Sequence, residues 1–312
     1  WPYDEGGCGC KDCRPWGANK YCDGCIGVRE ETLKLYPNAK FIVSTWTFDM
    51  PDDEGEYEGL YKRLKGDMSW VDYLMVDAHG DFPHYPLEHE LIKPVVNFPE
   101  ISMWALSPWG GFGASPLPER FQKLWDSSKR ILSGGMPYSE GIYEDISKIQ
   151  CVSYYWEPDR NYRDILAEYI SYEYSNEVVD DVIEMIACIE KNHTAVSDGK
   201  KPDLNLALHG KTLADSVNEC LCERAKKAWR WRILYIRGIL DYKRYSRYIE
   251  NDNRESETLD KLIKFSGEYL IEDRKAQELF KELQGYYHCV PYNGENAWTL
   301  PPLGGFYWLK KS

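Results

Sequence analysis

The sequence predicts an α/β protein: the second half of a parallel (β/α)8 barrel of the TIM type over residues 1–175, then an all-α region over 176–312. Three observations predict it. Strand-like apolar runs alternate with helical patterns from residue 25 to residue 174. Polar and aromatic residues gather at the C-terminal ends of those runs, where parallel barrels build their sites. Beyond residue 176 the apolar spacing is helical. About four strands follow the opening Asp4-Glu5 turn, whereas a complete eight-stranded barrel takes roughly 250 residues. The missing strands are therefore expected from an upstream segment of the same protein or from another chain, an arrangement that admits a homo-oligomer. An open doubly wound sheet is the competing architecture, but no G-x-G-x-x-G fingerprint follows a strand.

The elements read in order as follows. Residues 25–38 form a helix ended by Pro37-Asn38. The β-branched and aromatic run 39–49 is a strand. Residues 56–65 are helical, and 72–83 return to a buried strand with polar residues at its end. A third strand at 101–113 leads into a Gly-rich loop, and 117–132 is a helix with proline near its start. After a loop at 133–141 come a short helix at 142–149, a strand at 150–159 and a helix at 162–174. Helices are expected at 176–192, at 212–249 as one long or kinked element, and as a pair within 257–288. The aromatic, Pro/Gly-rich tail at 296–308 is expected against the body.

Composition narrows the function classes. Hydrophobic residues make up 43% and charged residues 29%, enough for a core and too ordered in pattern for wholesale disorder. A net charge of −13 argues against nucleic acid or an anionic membrane as partner, because phosphate binding needs a basic surface. No apolar run approaches the roughly 20 residues of a membrane-spanning helix. The 12 Trp and 24 Tyr suit a carbohydrate cleft, in which rings stack on sugar faces; a Trp-rich core is the plainer account of the same residues.

Five of the ten cysteines fall in the pattern C-x-C-x2-C-x8-C-x2-C: Cys8, Cys10, Cys13, Cys22 and Cys25. Paired short spacings separated by a loop can turn four thiolates toward one ion, which predicts a structural zinc held by four of the five. Reduced thiols and disulfides are the alternatives. A reduced cluster leans toward a cytoplasmic location. No cofactor is expected for catalysis.

The inferred strand ends repeat one chemistry. Trp46 and Asp49 end the first, Asp77 and His79 the second, and Trp104 and Trp109 the third. Tyr138 and Glu140 lie in the loop at 133–141, and Trp156 and Glu157 end the last strand. Each has a structural explanation of its own, as core, cap or backbone partner, but their recurrence at equivalent places points to a sugar-processing site. The triplet Asn192-His193-Thr194 matches a glycosylation acceptor, with chance the simpler explanation.

Asp4-Glu5 at a strand end resembles the acid pair of family 20 β-N-acetylhexosaminidases, with Trp1-Pro2-Tyr3 standing where that family has His-x-Gly-Gly. The Trp156-Glu157 segment ahead of a helix is similar to that family's last strand. The closing helices resemble the C-terminal parts of bacterial α-glucuronidase-like and hexosaminidase-like proteins of uncharacterised function, which also carry such cysteine clusters. The resemblance implies a glycoside hydrolase acting on a carbohydrate substrate. Glu5 would be the general acid, and Asp4 would orient a 2-acetamido group with help from Tyr138. Trp46, Trp104 and Trp156 would wall the sugar and Glu157 would bind hydroxyls. If two carboxylates act directly, Glu140 is the partner of Glu5. The alternatives are a non-catalytic carbohydrate-binding or scaffold protein, and a metal-dependent enzyme using the cysteine cluster or the Asp77/His79 pair.

Overall fold

In the computed structural model the described residues are 2, 7–48, 55–78, 80–102, 115–139, 144–198, 200–250, 278, 279 and 282. The chain divides into two compact units: Trp1–Glu100 with Lys123–Tyr138, and Ile101–Gln122 with Ser139–Ser312.

The first unit is built on a parallel sheet. A π-helical turn at Gly17–Tyr21 runs into α1 (Cys22–Leu35), followed by β1 (Ile42–Ser44), α2 (Glu56–Gly66) and β2 (Tyr73–Ala78). Next come α3 (His84–Glu88), β3 (Val95–Ser102), α4 (Pro118–Ser128) and β4 (Leu132–Gly135), with the end of β3 from Ile101 and the start of α4 up to Gln122 counted in the second unit. The strands lie in the order β1-β2-β3-β4, all neighbours parallel, and the short β5 (Tyr138–Ser139) pairs with β3. Each connection advances by one strand without reversal, so the described strands contain no switch point of the doubly wound kind. Five of the six residues of β2 are buried, as expected for an interior parallel strand covered on both faces.

Two side chains fix how this sheet meets its helices. Asp72 takes the Phe41 N–H at 2.9 Å and pairs with Lys40 at 2.9 Å, which pins the start of β1 to β2. Glu56, buried in the first turn of α2, accepts the N–H groups of Gly17 and Ala18 at 3.1 and 2.7 Å. The approach is so close that a Cβ on Gly17 would lie 2.3 Å from the Phe48 ring, so only glycine fits there.

The second unit is helical: α5 (Asp145–Trp156), α6 (Tyr162–Glu173), α7 (Val179–Ser197), α8 (Leu204–Cys220), α9 (Glu223–Lys226) and α10 (Trp229–Glu250). Its core gathers Leu166, Ile186, Val217, Trp231 and Leu240 from four of these helices. Asn161 and Asp203 cap α6 and α8 through their side chains, the role their short acceptor groups favour. Glu190 of α7 accepts the N–H groups of Glu119 and Arg120, both at 3.0 Å, and so satisfies the first turn of α4. Asn192 is 2% exposed and bonded both ways to the Asp203 backbone, so the glycosylation triplet is a chance match in the folded chain.

Several expectations are corrected. Residues 150–159 are not a strand: they continue α5 to Trp156 and then turn. Ile146, Ser147, Gln150, Cys151 and Tyr154 are buried at helical spacing, and that burial pattern outweighs the β-forming composition of the segment. The fourth parallel strand is β4, inside the stretch expected to be a loop. The third strand begins at Val95, earlier than expected. The element expected at 212–249 is broken where Leu221 and Cys222 take extended backbone between α8 and α9. Most of 257–288, the tail and residues 103–113 lie outside the described residues.

Candidate metal centre

The cysteine loop precedes the π-helical turn that opens α1. The Cys13 and Arg14 N–H groups both donate to the Cys10 carbonyl at 3.1 Å, closing a tight turn. That turn brings the sulfurs of Cys8, Cys10 and Cys13 within 4.8 Å of one another. Three thiolates about 2.3 Å from one tetrahedral zinc would stand roughly 3.8 Å apart, so the group fits a single ion after a small contraction. The donor set is all sulfur, which selects zinc or another thiophilic metal over magnesium or calcium. Cys8 and Cys10 are exposed and Cys13 half-buried, so a fourth ligand can arrive from solvent.

The loop prepares one of these sulfurs for ligation. The backbone N–H of Asp12 bonds to the Cys10 sulfur, the Cys13 and Cys8 thiols add hydrogen bonds, and together they lower its pKa to about 7. Cys13, hydrogen-bonded to Cys10 and Cys8, is pushed up to about 11. Cys10 is thus the better prepared of the two as a thiolate, and a bound divalent cation would displace thiol protons. A Cβ on Gly9 would meet the Arg14 guanidinium at 3.8 Å, so that side chain lies beside the loop backbone.

Cys22 and Cys25 do not join this group among the described residues. They sit on α1, where the Cys22 thiol donates to the Gly17 carbonyl at 3.1 Å. Burial pushes Cys22 up to about 12 and raises Cys25 as well, so neither is prepared as a thiolate. Among the described residues three of the five cysteines converge, not the four expected from the spacing.

The strand ends bring together only part of the expected sugar site. Trp46 follows β1 and meets Phe98 of β3 edge-on at 6.0 Å, and Phe98 stacks on Tyr138 of β5 at 5.2 Å. Asp77, 1% exposed near the C-terminal end of β2, lies in register with Phe98. Beyond Trp46, Thr47 holds φ of 64°, a costly conformation for a β-branched residue and one that tends to collect at functional sites. Sequence reasoning missed Asn97 and Glu100, both buried in β3; a polar residue interrupting "VVNFPEIS" was the available signal.

Trp156 and Glu157 are not at a strand end. They close α5, and Trp156 is 84% exposed. Asp4, Glu5, Asp49, His79, Trp104, Trp109 and Glu140 lie outside the described residues. No helix among the described residues is long and apolar enough to cross a membrane. No protein-family model, no curated protein and no solved structure matches the chain.

Proposed function

We propose that this is a metal-dependent protein in which Cys8, Cys10 and Cys13 hold one zinc or similarly thiophilic ion. The observation that carries the reading is the convergence of three sulfurs within 4.8 Å on one tight turn. Three protein ligands with two of them exposed leave a coordination position for water or a small molecule, the pattern of open zinc sites rather than closed structural ones. At such a position the ion supplies a Lewis acid or an activated water. The protein's own part is to hold the trio through the Cys10 carbonyl turn, to aim the Asp12 N–H at the Cys10 sulfur, and to set Arg14 beside the loop. Elemental analysis after gel filtration tests it. About one zinc per chain is expected, lost when all three cysteines become serine and kept in Cys22→Ser/Cys25→Ser. Retention in the triple variant, or loss in the double, contradicts the assignment.

A second reading keeps the carbohydrate site at the C-terminal ends of the strands. The row Trp46–Phe98–Tyr138 beside buried Asp77 and Glu100 favours it, since flat rings and carboxylates are what a sugar cleft needs. The one-directional strand order suits a barrel with sites at that end. In this reading Glu5 acts as hexosaminidase-like acid with Asp4 or Glu140 as its partner. Hydrolysis of a panel of aryl glycosides, abolished by Glu5→Gln, would establish it; an inactive wild type would contradict the glycosidase reading.

A further inference from the structure

A cleft of about 410 Å³ lies between α1 and β1, and neither functional reading uses it. Four aromatic rings line it: Trp16, Tyr21, Phe41 and Trp70. Volume and lining both fall within the range of small-molecule sites, which are mostly apolar with a few placed polar groups. The rings are held. Trp16 and Tyr21 stand 5.7 Å apart, Arg63 lies 6.0 Å from the centre of the Trp70 ring, and Arg29 lies 5.5 Å from that of Phe41. Tyr21 also reaches the Ser44 backbone and the Cys25 thiol with its hydroxyl.

Among the described residues, the one charged side chain in the lining is Lys20. Its partner Asp23, at 3.1 Å, is bound by Arg63 at the same time. Asp23 therefore keeps a counter-charge when the exposed Lys20 side chain swings away, and the ammonium can turn to an anion in the cleft. Arg63 is paired with Asp23, so Lys20 is the cation that the described lining offers to an anion.

From this geometry we infer that the cleft binds a small planar, apolar molecule carrying one acidic group, of the aryl carboxylate class. The rings take the planar body and Lys20 takes the carboxylate. The site shares no residue with the cysteine loop, so it stands or falls separately from the metal centre.

Gly24 provides a direct test. It lines the cleft from within α1, and a Cβ built on it meets nothing within 4 Å. Leucine there projects into open space on a helix that gains from losing a glycine, so Gly24→Leu should obstruct the cleft without loss of stability. Calorimetric titration of the full chain with 2-naphthoate is expected to show a dissociation constant below about 1 mM. Binding should vanish in Gly24→Leu, and it should weaken at least tenfold in Lys20→Met and for neutral 2-naphthalenemethanol on the wild type. Absence of naphthoate binding overturns the inference. So does binding that survives in a folded Gly24→Leu, or equal binding of the acid and the alcohol.

Discussion

Cys13 closes a turn onto Cys10: its N–H donates to the Cys10 carbonyl at 3.1 Å, and the two sulfurs lie within 4.8 Å of each other and of the Cys8 sulfur. Asp12, between them, contributes through its backbone N–H, and its carboxylate is not among the converging donors. Asp12→Ala should therefore leave the zinc content unchanged, whereas Cys10→Ser should lower it. Equal loss in both would show that the carboxylate is a ligand.

Two glycines should respond in opposite directions. Gly17→Ala forces a Cβ against the Phe48 ring and the Glu56 carboxylate, at 2.3 and 2.9 Å, and should cost more than about 2 kcal/mol. Gly27, inside α1 with open space around it, should give up to about 1 kcal/mol of added stability on replacement by alanine. Urea unfolding of the two variants measures both effects, and a Gly17→Ala chain as stable as wild type would refute the close approach.

Acid should release the lock between β1 and β2. The Phe41 N–H and then Lys40 hold Asp72 below the usual carboxylate range. A depressed folded pKa gives stability that is present above the unfolded value near 3.9 and lost as pH falls through the folded value. Asp72→Asn should cost about 1 kcal/mol at pH 7 and flatten the decline of stability below pH about 4. An unchanged acid limb in the variant would remove Asp72 from the account.

The second unit encloses a charge that cannot be removed alone. Arg237, fully buried, bonds Asp241 at 2.8 Å and Ser115 at 3.1 Å, with His193 at 3.4 Å. Arg237→Met should destabilise by about 3–5 kcal/mol, because the buried Asp241 carboxyl loses that guanidinium. Adding Asp241→Leu should recover a large part of the loss; chemical denaturation of the single and double variants decides, and a double variant no better than the single would contradict it.

Helices with a clean apolar stripe or firm ends were legible in the sequence. The Pro37-Asn38 stop and the charges flanking Tyr57, Leu60, Tyr61 and Leu64 place α1 and α2 nearly where they lie. β2 was legible as an unbroken apolar run ending in Asp77. The segment around Val152, Tyr154 and Tyr155 was not, because its residues favour strands while the partners Pro118 and Gln122 that make it a helix lie more than 25 residues away. β4 has the sequence LSGG, with no β-branched residue, and becomes a strand only because β3 offers it an edge. In the cysteine cluster, C-x-C-x2-C revealed the trio. The separation of Cys22 and Cys25 was hidden, since it depends on Glu56 anchoring a helical start at Gly17 that carries both onto α1.

A single ion on three sulfurs of one loop has its own signature in zinc-edge X-ray absorption of the metal-loaded chain. The expected spectrum has a shell of three sulfurs at about 2.3 Å and one lighter atom at about 2.0 Å, with the sulfur shell reduced in Cys8→Ser. Four sulfurs, no sulfur, or a spectrum unchanged by Cys8→Ser would contradict it.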